Sequence, residues 1–177
     1  MSSEHVAKNP VKSFIYEWII PIVIAIIASF LINRYVFFIM RVPSSSMYPT
    51  IHIGDLGIVT RVYNTDKLKR QDVVIFKSEE LNEILVKRLI GLPGDKVHID
   101  NNGNVFVNGE KLVEDYVQNP GGGGGDYDVP AGTFFFLGDN RGNSNDARYW
   151  KVKYIEAKYI EGKGQFIIFP FNRISKL

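Results

Sequence analysis

Three short segments of this sequence combine side chains whose chemistry is nucleophilic attack and proton transfer. The first is VPSSSMYPTIHIGD, Val42 to Asp55, with Ser44, Ser45 and Ser46 in a proline-bounded stretch unsuited to a helix. A serine hydroxyl is a weak nucleophile until a base sits beside it. Three serines alone read as a linker, but the apolar Met47 and rigid Pro49 that follow are unlike one. The second is LVKRLIGLPGD, Leu85 to Asp95. On a strand, Leu85, Lys87 and Leu89 share one face. An ammonium on an apolar face is disfavoured by desolvation, so its pKa falls and the neutral amine becomes available as a base. The same pattern also fits a lysine that blunts an exposed sheet edge. The third is FFFLGDNRGNSNDARYW, Phe134 to Trp150, where an apolar strand runs into Asp139, Asn140, Arg141, Asn143, Ser144, Asp146 and Arg148. Small polar residues after a hydrophobic strand make a site-forming loop or an ordinary polar one. Asp146 and Arg148 are spaced to pair.

Other chemistries are missing. There are no cysteines, which removes disulfides, thiolate zinc sites and thiol catalysis without fixing a compartment. His5, His52 and His98 are too few and scattered for a metal cage, and His52 and His98 read as turn or surface residues. The S-x-x-K, G-x-S-x-G, H-E-x-x-H and phosphate-loop patterns are all absent. No metal and no cofactor is expected. With 21 Lys+Arg against 19 Asp+Glu, the net charge of +2 gives no basic patch for nucleic acid.

The elements that must position these segments fall into two kinds. Residues 1–17 are polar and mixed. Residues 18–40 then supply the roughly 20 apolar residues that cross a bilayer core, if Arg34 snorkels to a headgroup. Trp18 and Tyr35 suit the two interfaces, and Pro21 falls near the first turn, where a missing N–H does least harm. A buried core helix would show a polar stripe, and a cleavable leader would be shorter and end in small residues. A transmembrane anchor fits better than either. The flanking positive charges are nearly balanced and leave its orientation open.

Residues 41–177 read as short strands between turns. Asp55–Tyr63, Asp72–Lys77, Glu83–Ile90, Lys96–Asp100, Asn104–Gly109, Thr133–Gly138 and Gly164–Pro170 are the strand candidates. NNG at 101–103 and Asn108-Gly109 signal hairpins. Lys151–Lys163 has room for a short helix. The five glycines at 121–125 read as an exposed flexible loop, native or engineered. The expected fold is therefore mostly β, tethered by one N-terminal helix.

Taken together, the three segments resemble the bacterial type I signal peptidases. That family carries P-S-x-S-M-x-P-T, here PSSSMYPT at 43–50; K-R-x-x-G-x-P-G-D, here KRLIGLPGD at 87–95; and G-D-N-R-x-N-S-x-D-S-R, here GDNRGNSNDAR at 138–148. A weaker box, R/K-G-D-(I/V)-V-x-F, stands as RQDVVIF at 70–76, with Gln71 in place of glycine. Ala147 replaces a serine of the third box. The resemblance covers the chain from the membrane segment to 169–171.

The resemblance implies a signal-peptidase-like β-barrel or sheet and a serine endopeptidase that removes signal peptides after A-x-A-type sites. Ser46 would be the nucleophile, Lys87 its general base and Ser144 the group that orients the lysine. The Ser44 hydroxyl and Ser46 N–H would form the oxyanion hole. Asp139, Asp146, Arg148 and Arg88 would support the site, and Met47, Ile51 and Leu85 would line the substrate pocket. The implied partners are secretory preproteins and the lipid bilayer. The implied place is the cytoplasmic membrane, single-pass, with the N-terminus inside and the β domain outside. Two other readings stand beside it. A self-cleaving Ser-Lys protein of the repressor type needs a DNA-binding domain, and this chain carries a membrane-length segment instead. A non-catalytic β domain on an anchor would lose the reacting groups, yet Ser46, Lys87 and Ser144 are all present.

Overall fold

A computed structural model of the chain describes residues 10–177, in two compact units. The expectations that rest on residues 1–9, the start of the polar segment 1–17, lie outside the described residues.

The first unit is helical. It runs as α1 (Pro10–Phe14), a π-helical turn (Ile15–Ile19) and α2 (Ile20–Tyr35). Ile15–Tyr35 is 21 residues of helix, long and apolar enough to cross a membrane, and none of its side chains is buried. Pro21 falls in the first turn of α2, as expected. It sits just past the π turn, where the Ile20 N–H reaches Ile15 O, a wider loop that accommodates a residue lacking an N–H. The helix stops at Tyr35, short of residue 40. Phe37–Arg41 forms strand β1 instead. A run of β-branched and aromatic residues attached to an apolar helix has no period that would betray the switch.

The second unit is mostly β. Beyond β1, its principal sheet contains β2 (Leu56–Arg61), β3 (Val73–Ser78) and β4 (Glu83–Gly91). The small sheet contains β5 (Lys96–Ile99), β6 (Val105–Val107), β7 (Glu110–Lys111) and β8 (Gly125–Asp128). The chain then returns to the principal sheet with β9 (Thr133–Leu137), β10 (Ile155–Glu156), β11 (Ile160–Phe169) and β12 (Ser175–Lys176). The principal order is β1-β2-β11-β3-β4-β9-β10 with β12 on β11, and the small one is β7-β6-β5-β8. Lys151–Lys163 holds only one 3-10 turn, Ala157–Tyr159, before β11 begins. Gly162 and Gly164 admit close neighbours there, since a Cβ at Gly162 would stand 2.5 Å from Val59 Cγ1.

Local sequence explains the turns. Asn108 and Gly109 both have positive φ, 54° and 88°, the geometry that an Asn-Gly hairpin turn requires. Asp100 closes the other turn by accepting from the Asn102 and Asn104 N–H groups, each at 2.8 Å. The main apolar cluster joins the two sheets: Phe76, Leu89, Phe135 and Phe136 from one meet Val97, Ile99 and Val105 from the other. Each such side chain stabilises the fold by about 1.5–3 kcal/mol through burial. A second cluster of Val42, Met47, Ile51, Val73 and Ile167 anchors the serine segment.

Candidate active site

The serine segment is irregular, but it is not loose. Met47 and Ile51 are fully buried, the Val42 N–H donates to Asp55 O at 3.0 Å, and the Ile51 N–H donates to Met47 O at 2.9 Å. Ser46 is thereby fixed on a knob that rests on the second core. Its hydroxyl lies 3.4 Å from the exposed Ser44 hydroxyl.

Lys87 comes from β4, which is flanked by β3 on one side and by β9 from Arg88 onward on the other. Lys87 is the last residue before β9 joins, but its side chain is buried, so it does not blunt an exposed sheet edge. Only 4% of the residue is exposed, and its amine donates to Ser144 Oγ at 3.2 Å. Desolvation by burial is the main influence and lowers its pKa to about 8, against the attraction of Asp146 and Asp139 and with help from Arg148.

Gly138 brings the segments together. Its N–H donates to Asp146 at 3.0 Å. A Cβ at this position would stand 2.2 Å from Ser144 Oγ and 2.5 Å from Ser46 O, so only glycine lets these two groups close around it. The Asn140 N–H holds the same Ser46 carbonyl at 3.0 Å, and Asn140 Nδ2 donates to Ser45 O at 3.1 Å. Ser46, Ser144 and Lys87 thus converge from three distant parts of the sequence.

The charged support is a set of buried pairs. Arg88 grips Asp139 with two bonds, at 2.9 and 2.5 Å, and gives a third to Gln71 O at 2.8 Å. Burial works against its charge, but the bonds and charge of Asp139 outweigh that and raise its pKa. Arg148 pairs with Asp146 in the same way, at 2.8 and 2.9 Å. There too desolvation is overcome and the guanidinium pKa is raised. Arg141 pairs with Glu114, whose Oε1 also accepts from the Tyr116 hydroxyl at 2.8 Å; the Tyr116 ring covers Arg88 at 4.0 Å.

Sequence reasoning placed Ser46, Ser144, Lys87 and the four support residues in one neighbourhood, and the fold assembles them. It does not assemble Met47, Ile51 and Leu85 into one pocket wall. Met47 and Ile51 belong to the second core cluster, whereas the half-buried Leu85 packs on the first. Gly138, Thr50, Glu114 and Tyr116 were not singled out. Thr50 lies within the serine box, and its hydroxyl donates to Asp139 at 2.5 Å. Glu114 and Tyr116 carry no sequence signal, since they lie outside every box. His98 is exposed and pairs with Asp126, and the His52 ring stacks on Tyr48. Among the described residues there is no cluster of side chains able to hold a metal ion.

Comparison with known proteins shows the family of the chain. The family described as signal peptidase, peptidase S26, matches residues 15–169. The signal peptidase I of Bacillus licheniformis is 37% identical, over 93% of this chain and 94% of its own length. Signal peptidase I T of Bacillus subtilis (strain 168) is 36% identical, over 98% and 94%. A crystal structure of a signal peptidase I from Enterococcus faecalis V583 is 32% identical, covers 55% of this chain and 96% of its own, and has a TM-score of 0.47. The self-cleaving repressor type also needs an internal Ala–Gly site, and such a pair, Ala131–Gly132, stands in the turn before β9, so it is the family match that sets the chain apart from that type. With the match running from the membrane-length helix through β11, the chain belongs to the signal peptidase family, peptidase S26, and is a serine peptidase of that family.

Proposed function

We propose that this protein removes signal peptides from exported preproteins with a Ser46–Lys87 dyad. The observation that carries the reading is a buried lysine with no carboxylate hydrogen-bonded to it, held by Ser144 beside the Ser46 peptide. At and above pH 8 a large fraction of Lys87 is neutral. The neutral amine takes the Ser46 proton as the hydroxyl oxygen attacks the scissile carbonyl. The Ser44 hydroxyl and the Ser46 N–H donate to the developing oxyanion. Collapse expels the new N-terminus of the mature protein, which takes the proton from Lys87, and leaves an acyl-enzyme. Lys87 then takes a proton from water as the water oxygen attacks the acyl carbon, and returns that proton to Ser46 Oγ as the ester bond breaks and the signal peptide leaves.

The preprotein binds as an added strand. Glu83 to Lys87 are paired with β3 only, because the β9 ladder starts at Arg88. This leaves one edge of β4 free directly ahead of the lysine. On this reading P1 and P3 are small, in keeping with the buried Met47 and Ile51 close to Ser46 in the chain. The helix Ile15–Tyr35 spans the cytoplasmic membrane once, with the N-terminus inside, and keeps the β unit on the outer face where translocated substrates emerge.

Cleavage of a preprotein bearing an A-x-A site, by the full chain in detergent, tests this. The wild type cuts after the second alanine, whereas Ser46→Ala and Lys87→Ala remain folded and inactive. Equal cutting by all three would overturn the dyad.

A further inference from the structure

In the fold, four of the five glycines at 121–125 are held at close range, and only Gly122 has open space around it. A Cβ on Gly121 would stand 2.7 Å from Gly142 N and Cα. One on Gly123 would be 3.0 Å from the Tyr149 hydroxyl, and one on Gly124 would be 2.8 Å from Ile99 O. From the other side, a Cβ on Gly142 would be 2.5 Å from Asn119 Nδ2, and one on Gly103 would be 2.8 Å from Pro120 O. Backbones pass here more closely than side chains allow, which is a reason for glycine distinct from flexibility. Gly125 even enters β8, opposite Ile99.

The contacts lead to the site along two routes. Asn119 O accepts from Gly142 N at 3.0 Å, and Asn119 Nδ2 donates to Asn140 Oδ1 at 2.9 Å. Asn140 in turn holds Ser46 O and Ser45 O, and Asn143 Nδ2 donates to Ser45 Oγ at 3.1 Å. On the second route Gly122 O accepts from Arg148 Nη1 at 2.8 Å, and Arg148 grips the Asp146 that receives the Gly138 N–H.

We propose that Asn119–Gly123 is a positioning strap that sets the Asn140–Ser144 loop, and through it the Ser46 peptide and the Ser144 hydroxyl, for the reaction. This rests on the Ser46–Lys87 reading of the site. The strap residues bond to Asn140, Gly142 and Arg148 rather than to the Ser46 hydroxyl or the Lys87 amine. Their effect is to hold the groups around those atoms, and small displacements there are costly to rate.

Asn119→Ala tests the strap in the full chain in detergent, because it deletes one side-chain bond at an exposed position and keeps every backbone bond. The expected result is a kcat about tenfold lower with a KM close to that of the wild type. The acid limb of kcat/KM should move up by about half a pH unit, as water reaches Lys87 between Asp139, Asp146 and Arg148. A role in stability alone would shift the unfolding midpoint and leave that limb in place. Gly121→Ala should lose more activity than Gly122→Ala, whose Cβ meets nothing within 4 Å. Equal losses would mean that flexibility is what matters, and would overturn the strap. So would a wild-type kcat and acid limb in Asn119→Ala beside an inactive Ser46→Ala, with the dyad intact. A Ser46→Ala that cuts normally overturns both.

Discussion

The two sides of β4 bury neighbouring cations on opposite terms. Lys87 meets a hydroxyl, and its pKa falls to about 8. Arg88 meets the Asp139 carboxylate with two bonds and the Tyr116 ring, and its pKa rises. Both residues are less than a tenth exposed. Burial alone therefore does not decide the state of a basic group. What decides is whether a carboxylate is placed within hydrogen-bond reach, and whether the group can give up its proton at all. Arg88 and Arg148 keep their charges and tie loops together. Lys87 is left with an amine that can cycle through its neutral form.

The sharpest way to break this contrast is to give an arginine the lysine's situation. Asp146→Ala leaves the Arg148 guanidinium buried without its carboxylate. We expect a loss of about 3–5 kcal/mol, read as a lower denaturant midpoint of the full chain in detergent. The bonds from Arg148 to Gly122 O and Arg141 O do not neutralise charge, so they should not rescue it. A loss under about 1 kcal/mol, the range of exposed pairs, would mean that these pairs matter no more than surface ones.

The converse experiment gives the lysine an apolar replacement, with a slightly smaller effect of opposite sign. The folded pKa of Lys87 lies below its unfolded value of 10.5. Between about 8 and 10.5 the unfolded chain binds more protons than the folded one, so this group makes stability rise with pH across that window. Below the folded pKa the penalty is fully present, and above 10.5 it is gone. At 1.36 kcal/mol per pKa unit, the penalty at neutral pH is about 3 kcal/mol. Lys87→Met should stabilise the protein by up to about that amount at pH 7 and lose the advantage by pH 10.5. Unfolding of both proteins at pH 7, 9 and 10.5 reads the difference. An advantage independent of pH would assign the gain to packing instead.

What the sequence disclosed of this arrangement follows from how each feature is encoded. Ser46, Lys87, Ser144 and the Asp–Arg pairs lie in boxes whose residue order survives as text, so the site's members were legible before their geometry. The strand at Phe37–Arg41 was not, because its apolar run continues that of the helix and only hydrogen bonding with β2 separates them. The glycine run was read for its freedom, when close approach was the operative property at Gly121, and that depends on a partner, Gly142, 21 residues away. Glu114 and Tyr116 act on Arg141 and Arg88 across the fold, with nothing in their own neighbourhood to announce it. Met47 and Ile51 were legible as apolar but not as core, since burial is a property of the packing partners Val42, Val73 and Ile167.

Gln71 offers the smallest effect, on the arginine side of β4. It has φ 72°, in the left-handed region, at a position where the resembling box has glycine. Two bonds hold it there. Its N–H donates to Leu89 O at 2.7 Å, and its carbonyl accepts from Arg88 Nη1 at 2.8 Å. The conformation aims that carbonyl at Arg88, and so belongs to the same paired arrangement. A residue with a Cβ is disfavoured in it by about 1–2 kcal/mol, while glycine is not. Gln71→Gly relieves that strain but frees the unfolded chain and gives up the Nε2 bond to Val113 O at 2.6 Å. The balance should be a gain of about 0.5 kcal/mol, whereas Gln71→Val, stiff and branched at Cβ, should lose more than about 1 kcal/mol. Denaturant midpoints of the two variants give the comparison. If Gln71→Val were as stable as Gln71→Gly, the bonds from β4 would not be fixing the backbone at residue 71, and Arg88 would be secured by Asp139 and the Tyr116 ring without it.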